Sequence, residues 1–231
     1  MFPEGENHSI LRAAAILKRE GLINPILVGS SKKIQDVMCE QKILERDLCI
    51  VDPMEDEALT QYIISYCEER QMPEAVGRRI LSQPLFFSAM MVKKGRAHCI
   101  VAGIDHPTEE VIMASELILG IKEGICVPSS FYLVEIPGFK GSQENLMIFS
   151  DPSMNPDPNA KELADIAYTT AQSVRTILGW EPKVAFLSFS TKGSADHPLV
   201  NKIQTACECL EKKNCDFLFD GELQADAAIN P

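Results

Sequence analysis

The stretch "LSFSTKGSADHP", Leu187 to Pro198, places three hydroxyls, one ammonium and one glycine in five consecutive positions: Ser190, Thr191, Lys192, Gly193 and Ser194. Hydroxyls and backbone amides donate to oxyanions, lysine adds charge, and glycine lets the main chain approach a ligand, so the set suits a phosphate or another anion. The spacing is not that of a P-loop, which needs Gly-x-x-x-x-Gly-Lys-Ser/Thr. The same residues also serve as plain turn residues, with Asp196 as N-cap and Pro198 in the first turn of a helix.

Four other places carry polar groups that could do chemistry. Ser129 and Ser130 stand at the mouth of the apolar run "FYLVEIP". Asp151, Asn155 and Asp157 precede a helix whose start Pro158 and Asn159 explain, which leaves Asp151 without a structural role. "DFLFDGELQADAAI" ends a strand with Asp220, Gly221, Glu222, Gln224 and Asp226. Those carboxylates could bind a metal, organise basic partners, or simply favour a helix N-terminus. Arg70 closes a helix, where a guanidinium suits the macrodipole as well as it suits a ligand.

Composition narrows the classes. Lys and Arg total 22 against 33 Asp and Glu, a formal charge of -11. Such a surface repels nucleic-acid backbones and anionic lipid, so neither is an expected partner, and any anionic substrate must be held by a local cluster. The eight cysteines lack paired zinc or redox spacing and read as reduced, mainly core residues, and the four histidines are scattered. No metal site is expected. No apolar run reaches the length of a membrane span, and "MFPEGENHSILRAA" is unlike a signal peptide, which predicts a cytoplasmic protein away from membranes.

Short apolar runs alternate with periodic segments, the pattern of an α/β fold with mostly parallel strands, in which function gathers where strands end and helices begin. Helices are predicted over 9–20, 31–41, 57–70, 74–81, 85–94, 108–118, 160–178 and 198–213. Strands are predicted in "NPILVG", "LCIVDP", "HCIVAGI", "SSFYLVEIP", "NLMIFSD", "KVAFLSFS" and "DFLFDG". The composition break "PGFKGSQEN" is a hairpin or a domain junction. Read as a junction, it divides the chain into domains 1–140 and 141–231.

Seven segments, in order, resemble the phosphate acetyltransferase and phosphate butyryltransferase family. They are "FPEG" at 2–5, "RAAAILKREGLINPILVG" at 12–29, "VAGIDHPTEEVI" at 101–112, "VPSSFYL" at 127–133, "DPSMNPDPNAKELADIA" at 151–167, "KVAFLSFSTKGSA" at 183–195 and "DGELQADAAI" at 220–229. The resemblance implies two three-layer α/β/α domains facing a cleft, as in isocitrate and isopropylmalate dehydrogenases, in a homodimer. It implies reversible acyl transfer between coenzyme A, a substrate and not a bound cofactor, and phosphate, giving an acyl phosphate. Acetyl is the expected acyl group. Arg70 matches a family arginine important for coenzyme A or phosphate and is the expected catalytic residue. Thr108, Ser129, Ser130, Asp151, Asn155, Ser190, Thr191, Lys192, Gly193, Ser194, Glu222, Gln224 and Asp226 are the expected substrate-binding residues.

Departures bear on that expectation. Pro107 replaces a threonine, Met113 stands where many phosphate acetyltransferases carry an arginine, and Pro152 stands where a cysteine is common. Methionine cannot replace a bidentate phosphate partner. Family members also continue past the point matching Pro231 through a "GNI-YK" segment, a serine-arginine pair and a basic aspartate, and they begin with a longer first strand. By that likeness the chain reads as a fragment with little turnover. The rival readings are an acyl-CoA-binding module without catalysis, a phosphate butyryltransferase-like enzyme, and a metal-dependent hydroxyacid dehydrogenase, which would not explain the serine pair or "STKGSA".

Overall fold

The computed structural model describes residues 1–45 and 47–230. It divides into two compact units, Met1–Gly120 and Ile121–Pro231.

Residues 2–7, Phe-Pro-Glu-Gly-Glu-Asn, gather the first unit around them. Phe2 pairs in parallel with Leu27 of β1 (Ile26–Val28), and β1 pairs in parallel with β2 (Cys49–Val51). Gly5 crosses β1 so closely that a Cβ there would stand 2.9 Å from the Val28 carbonyl oxygen, which only glycine avoids. Glu6 accepts the Ser30 amide at 3.1 Å, at the start of α2 (Ser31–Glu40), and pairs with Lys33 at 3.1 Å. Asn7 caps α1 (His8–Arg19), accepting from the amides of Ser9 and Ile10.

Helices in this unit follow from apolar spacing. α1 buries Leu11, Ala14 and Ala15 in one core, and α3 (Ala58–Arg70) buries Leu59, Tyr62, Ile63 and Tyr66 in another, stripes that follow i, i+3, i+4 and i+7. After α4 (Glu74–Leu81), α5 (Pro84–Lys93) is apolar around its circumference and runs through that second core, with the Phe87 ring tilted against the Tyr62 ring at 5.4 Å between centroids. α6 (Thr108–Ile118) completes the unit and buries Ala114 and Ile118. The predicted segment "HCIVAGI" is not a strand. It makes main-chain bonds to Met1, which donates to the Cys99 carbonyl (3.1 Å) and accepts from the Val101 amide (2.9 Å), and later amides reach Glu4.

In the second unit β3 (Phe131–Glu135) and β4 (Leu146–Ser150) form an antiparallel hairpin with Phe131 opposite Ser150. "PGFKGSQEN" is therefore the loop of that hairpin, and the two compact units divide at residue 120, twenty positions before the expected junction. α7 (Ala160–Leu178) starts in a capping box between Asn159 and Glu162. β5 (Lys183–Leu187) and β6 (Leu218–Leu223) pair in parallel, with α8 (Pro198–Glu211) connecting them and α9 (Ala225–Ile229) after β6. His197, and not Asp196, caps α8, its Nδ1 accepting from the Leu199 amide at 3.2 Å. Ala164, Ala167 and Ala171 let α7 approach Ala206, Leu210, Phe186 and Phe217 in one core. Among the described residues the chain is thus an α/β fold with parallel strand pairs and one antiparallel ribbon. Among the described residues no helix is long and apolar enough to cross a membrane.

One buried charge pair sets the approach to the serine pair. Asp165 on α7 is fully buried, and its Oδ2 accepts from the Cys126 amide (2.7 Å) and thiol (2.8 Å). The Lys213 ammonium meets Oδ1 at 2.6 Å and also donates to the Gly124 carbonyl at 3.1 Å. Burial raises the Asp165 pKa, but the Cys126 and Lys213 bonds outweigh it and hold the carboxyl below the ordinary range.

Candidate active site

The turn after β5 folds onto the end of β6. Lys192 (φ 47°) and Gly193 (φ 80°) both take left-handed conformations, and the glycine does so without steric cost. That geometry aims the Gly193 amide at Glu222 Oε1, 2.7 Å away, and the Ser190 hydroxyl donates to the same oxygen at 3.2 Å. Because the Ser190 proton goes to Glu222, Ser190 accepts both from the Ala195 amide and from the Ser194 hydroxyl, each at 3.1 Å, while Ser194 accepts from the Thr191 amide at 3.0 Å. Thr191 Oγ1 accepts from the Gln224 amide at 2.9 Å.

In this structure the anion that Ser190 and Gly193 hold is the chain's own Glu222. Ser190 and Glu222 are fully buried, and the Gly193 amide is the foremost cause of a Glu222 pKa below its ordinary value. Lys192 faces outward and is bonded to Asp220 and to the Gly221 carbonyl. Each partner reinforces the other's charge, the Lys192 pKa being raised and the Asp220 pKa lowered. Beside this pair lies a hollow of about 410 Å³, walled by Cys207, Phe217 and Phe219. Burial pushes the Cys207 thiol up to about 11, which keeps it protonated and unreactive at neutral pH.

Ser129, Ser130, Asp151 and Asn155 form a second group, at the base of the β3–β4 hairpin. The register that sets Phe131 against Ser150 makes Ser130 and Asp151 neighbours across the strands. Asp151 accepts from the Ser130 amide (3.2 Å) and hydroxyl, from the amides of Met154 (3.2 Å) and Asn155 (2.9 Å), and from the Asn155 side chain (2.5 Å). Burial raises its pKa, and these bonds more than reverse that, so the carboxyl stays ionised below the usual range. The role that Asp151 lacked is to tie the loop before α7 to the serine pair. Its lone pairs are committed, which argues against a general base. Ser129 sits 3.0 Å from Thr169 Oγ1, whose own proton goes to the Asp165 carbonyl, so Ser129 is the donor. Lys202 on α8 meets Asp157 at 2.9 Å and ties this loop to the helix fed by the 190–194 turn. Asp226 lies in the first turn of α9.

In the first unit, Thr108 opens α6, while Arg70 donates to the Leu117 carbonyl at the other end of that helix, 2.8 Å away. Nine residues of helix separate those points by about 13 Å, so the two do not share one small anion. Arg70 caps the C-terminus of α6, and Met113 is exposed on the same helix. Sequence reasoning missed Glu4, Thr169, Thr170 and the Asp165–Lys213 pair. The adjacent threonines in "AYTTAQ" were a usable signal, since two hydroxyls mid-helix call for partners: Thr170 lies 2.8 Å from Ser150 Oγ.

The family model described as phosphate acetyl/butaryl transferase matches residues 1–231. A phosphate acetyltransferase of Thermoanaerobacterium thermosaccharolyticum is 36% identical over 232 residues, covering 99% of this chain and 70% of that protein. One from Clostridium acetobutylicum is 36% identical over 233 residues, covering 100% and 70%. A solved phosphotransacetylase from Streptococcus pyogenes is 35% identical, with a TM-score of 0.90 over 100% of this chain and 69% of its own. On these matches, the chain belongs to the phosphate acetyl/butaryl transferase family.

Proposed function

We propose that this chain serves the reversible transfer of an acyl group, acetyl foremost, between coenzyme A and inorganic phosphate. Membership of the family along the whole of residues 1–231 is the observation that carries the reading. In the reaction the coenzyme A sulfur attacks the acyl phosphate carbonyl carbon, the C–O bond to phosphate breaks, and the thiol proton passes to a base. Hydroxyls at strand ends, Ser129, Ser130 and Thr191, suit the carbonyl and phosphate oxygens once substrate displaces their present acceptors, and Lys192 supplies the cation once phosphate displaces Asp220. Coenzyme A enters as a substrate, and the reading carries with it a cytoplasmic homodimer.

The pairing of Lys192 with Asp220, together with Met113, favours a second reading, an acyl-CoA-binding module without turnover. Titrating acetyl-CoA by calorimetry, beside an assay for free coenzyme A with and without phosphate or arsenate, separates them. Release only when either anion is present supports transfer, and release independent of both rejects it. Binding without release selects the module, and absence of both removes both readings.

A further inference from the structure

Glu4 is 5% exposed, and its carboxylate is spent on main-chain donors roughly a hundred residues away. The Gly103 amide donates to both oxygens at 3.1 Å, and the Asp105 and His106 amides donate to Oε1 at 2.8 and 2.9 Å. Converging amides of this kind make an anion nest, and bonds to an ionised acceptor are the stronger sort. These bonds hold the Glu4 pKa below its ordinary value against the opposing effect of burial. Asn7 adds two bonds from its Nδ2 to the Asp105 carboxylate, at 2.9 and 3.1 Å. His106 in turn lies 2.8 Å from Glu110 inside α6. The chain from Gly103 to His106 is thus fixed from Glu4 and Asn7, and two residues later it delivers Thr108 as the first residue of α6.

We propose that Glu4 is the positioning residue for Thr108: its carboxylate fills the 103–106 nest, and so sets the place and direction at which α6 begins. That Thr108, which family likeness assigns to substrate binding, then contacts substrate rests on the proposed function. The placement does not.

The test compares Glu4→Ala, Glu4→Gln and Thr108→Val in the whole chain by amide NMR and by the phosphate dependence of acetyl-CoA cleavage. Glu4→Ala should shift the Thr108 amide resonance and speed exchange at Gly103, Asp105 and His106 by about tenfold or more. Formate should reverse both effects by occupying the vacated nest. The KM for phosphate should rise about tenfold in Glu4→Ala and fall back with formate, whereas the defect of Thr108→Val should ignore formate. Glu4→Gln, which keeps one acceptor oxygen, should lie between and carries the comparison if the alanine variant does not fold. A Thr108 resonance unmoved in a folded Glu4 variant whose three amides have been released overturns the proposal. If the parent chain neither binds nor cleaves acetyl-CoA, the functional reading fails alone, and the Thr108 shift still decides the role of Glu4.

Discussion

Glu222 Oε1 stands 2.7 Å from the Gly193 amide nitrogen and 3.2 Å from the Ser190 hydroxyl, so a side chain at the end of β6 closes the turn that follows β5. Removing it leaves two donors without their acceptor in a buried setting. Glu222→Ala should lower the urea midpoint and speed exchange at the Gly193 amide by about tenfold or more, with a smaller effect from Glu222→Gln. Unchanged protection at Gly193 would show that the turn holds itself.

Breaking one side of the Asp165–Lys213 pair strands a buried charge. Lys213→Met should cost about 3 kcal/mol, and adding Asp165→Leu should recover much of it. Denaturant titrations of the two variants measure this. A single variant as stable as the parent would remove the pair from the account.

At Gly77 on α4, a Cβ would lie 2.3 Å from Cys67 Sγ on α3. Gly77→Ala should therefore destabilise by about 1–3 kcal/mol despite alanine's better helix propensity. Cys67→Ala in the same chain should return most of the loss, and additive costs would contradict the clash.

Glu4, Asp151, Asp165 and Glu222 all ionise below their ordinary values of 4.5 for glutamate and 3.8 for aspartate. Groups depressed on folding stabilise fully above the unfolded pKa and lose that stabilisation as pH falls through the folded one. The denaturation midpoint should thus carry these groups' full stabilisation, and no pH dependence from them, between about pH 6 and 8, and should drop as pH is taken below about 4, less steeply in Asp151→Asn. A steep loss already at neutral pH would place the sensitivity elsewhere.

If Lys192 binds phosphate, Asp220 competes with it. Asp220→Asn should tighten phosphate binding several-fold at low ionic strength, with the gain shrinking as salt is added. Calorimetry with inorganic phosphate measures this, and weaker binding would make Asp220 part of the site.

The helices were legible because local rules decide them. The stripe Leu59, Tyr62, Ile63 and Tyr66 marks α3, and Asn159 with Glu162 marks the start of α7. What escaped depends on partners distant in sequence. "HCIVAGI" is as apolar as a strand, yet beyond Val101 its amides serve Glu4 instead of a ladder. "PGFKGSQEN" fits a hairpin or a junction equally until β4 is seen lying on β3. The turn 190–194 was recognisable as an anion holder by its residue types, and the seven motifs fixed the family. No local pattern says that the anion is Glu222, some thirty positions later.

The bonds from residues 1–7 to residues 99–106 span 98 to 102 positions. During synthesis the earliest part of the chain must wait for roughly the first hundred residues to clear the ribosome before Glu4 finds its amides. Until then Met1 and Val28, whose core includes Ile100, Ala102 and Ala114, have only part of their eventual cover, and that interval is when a chaperone would have most to grasp.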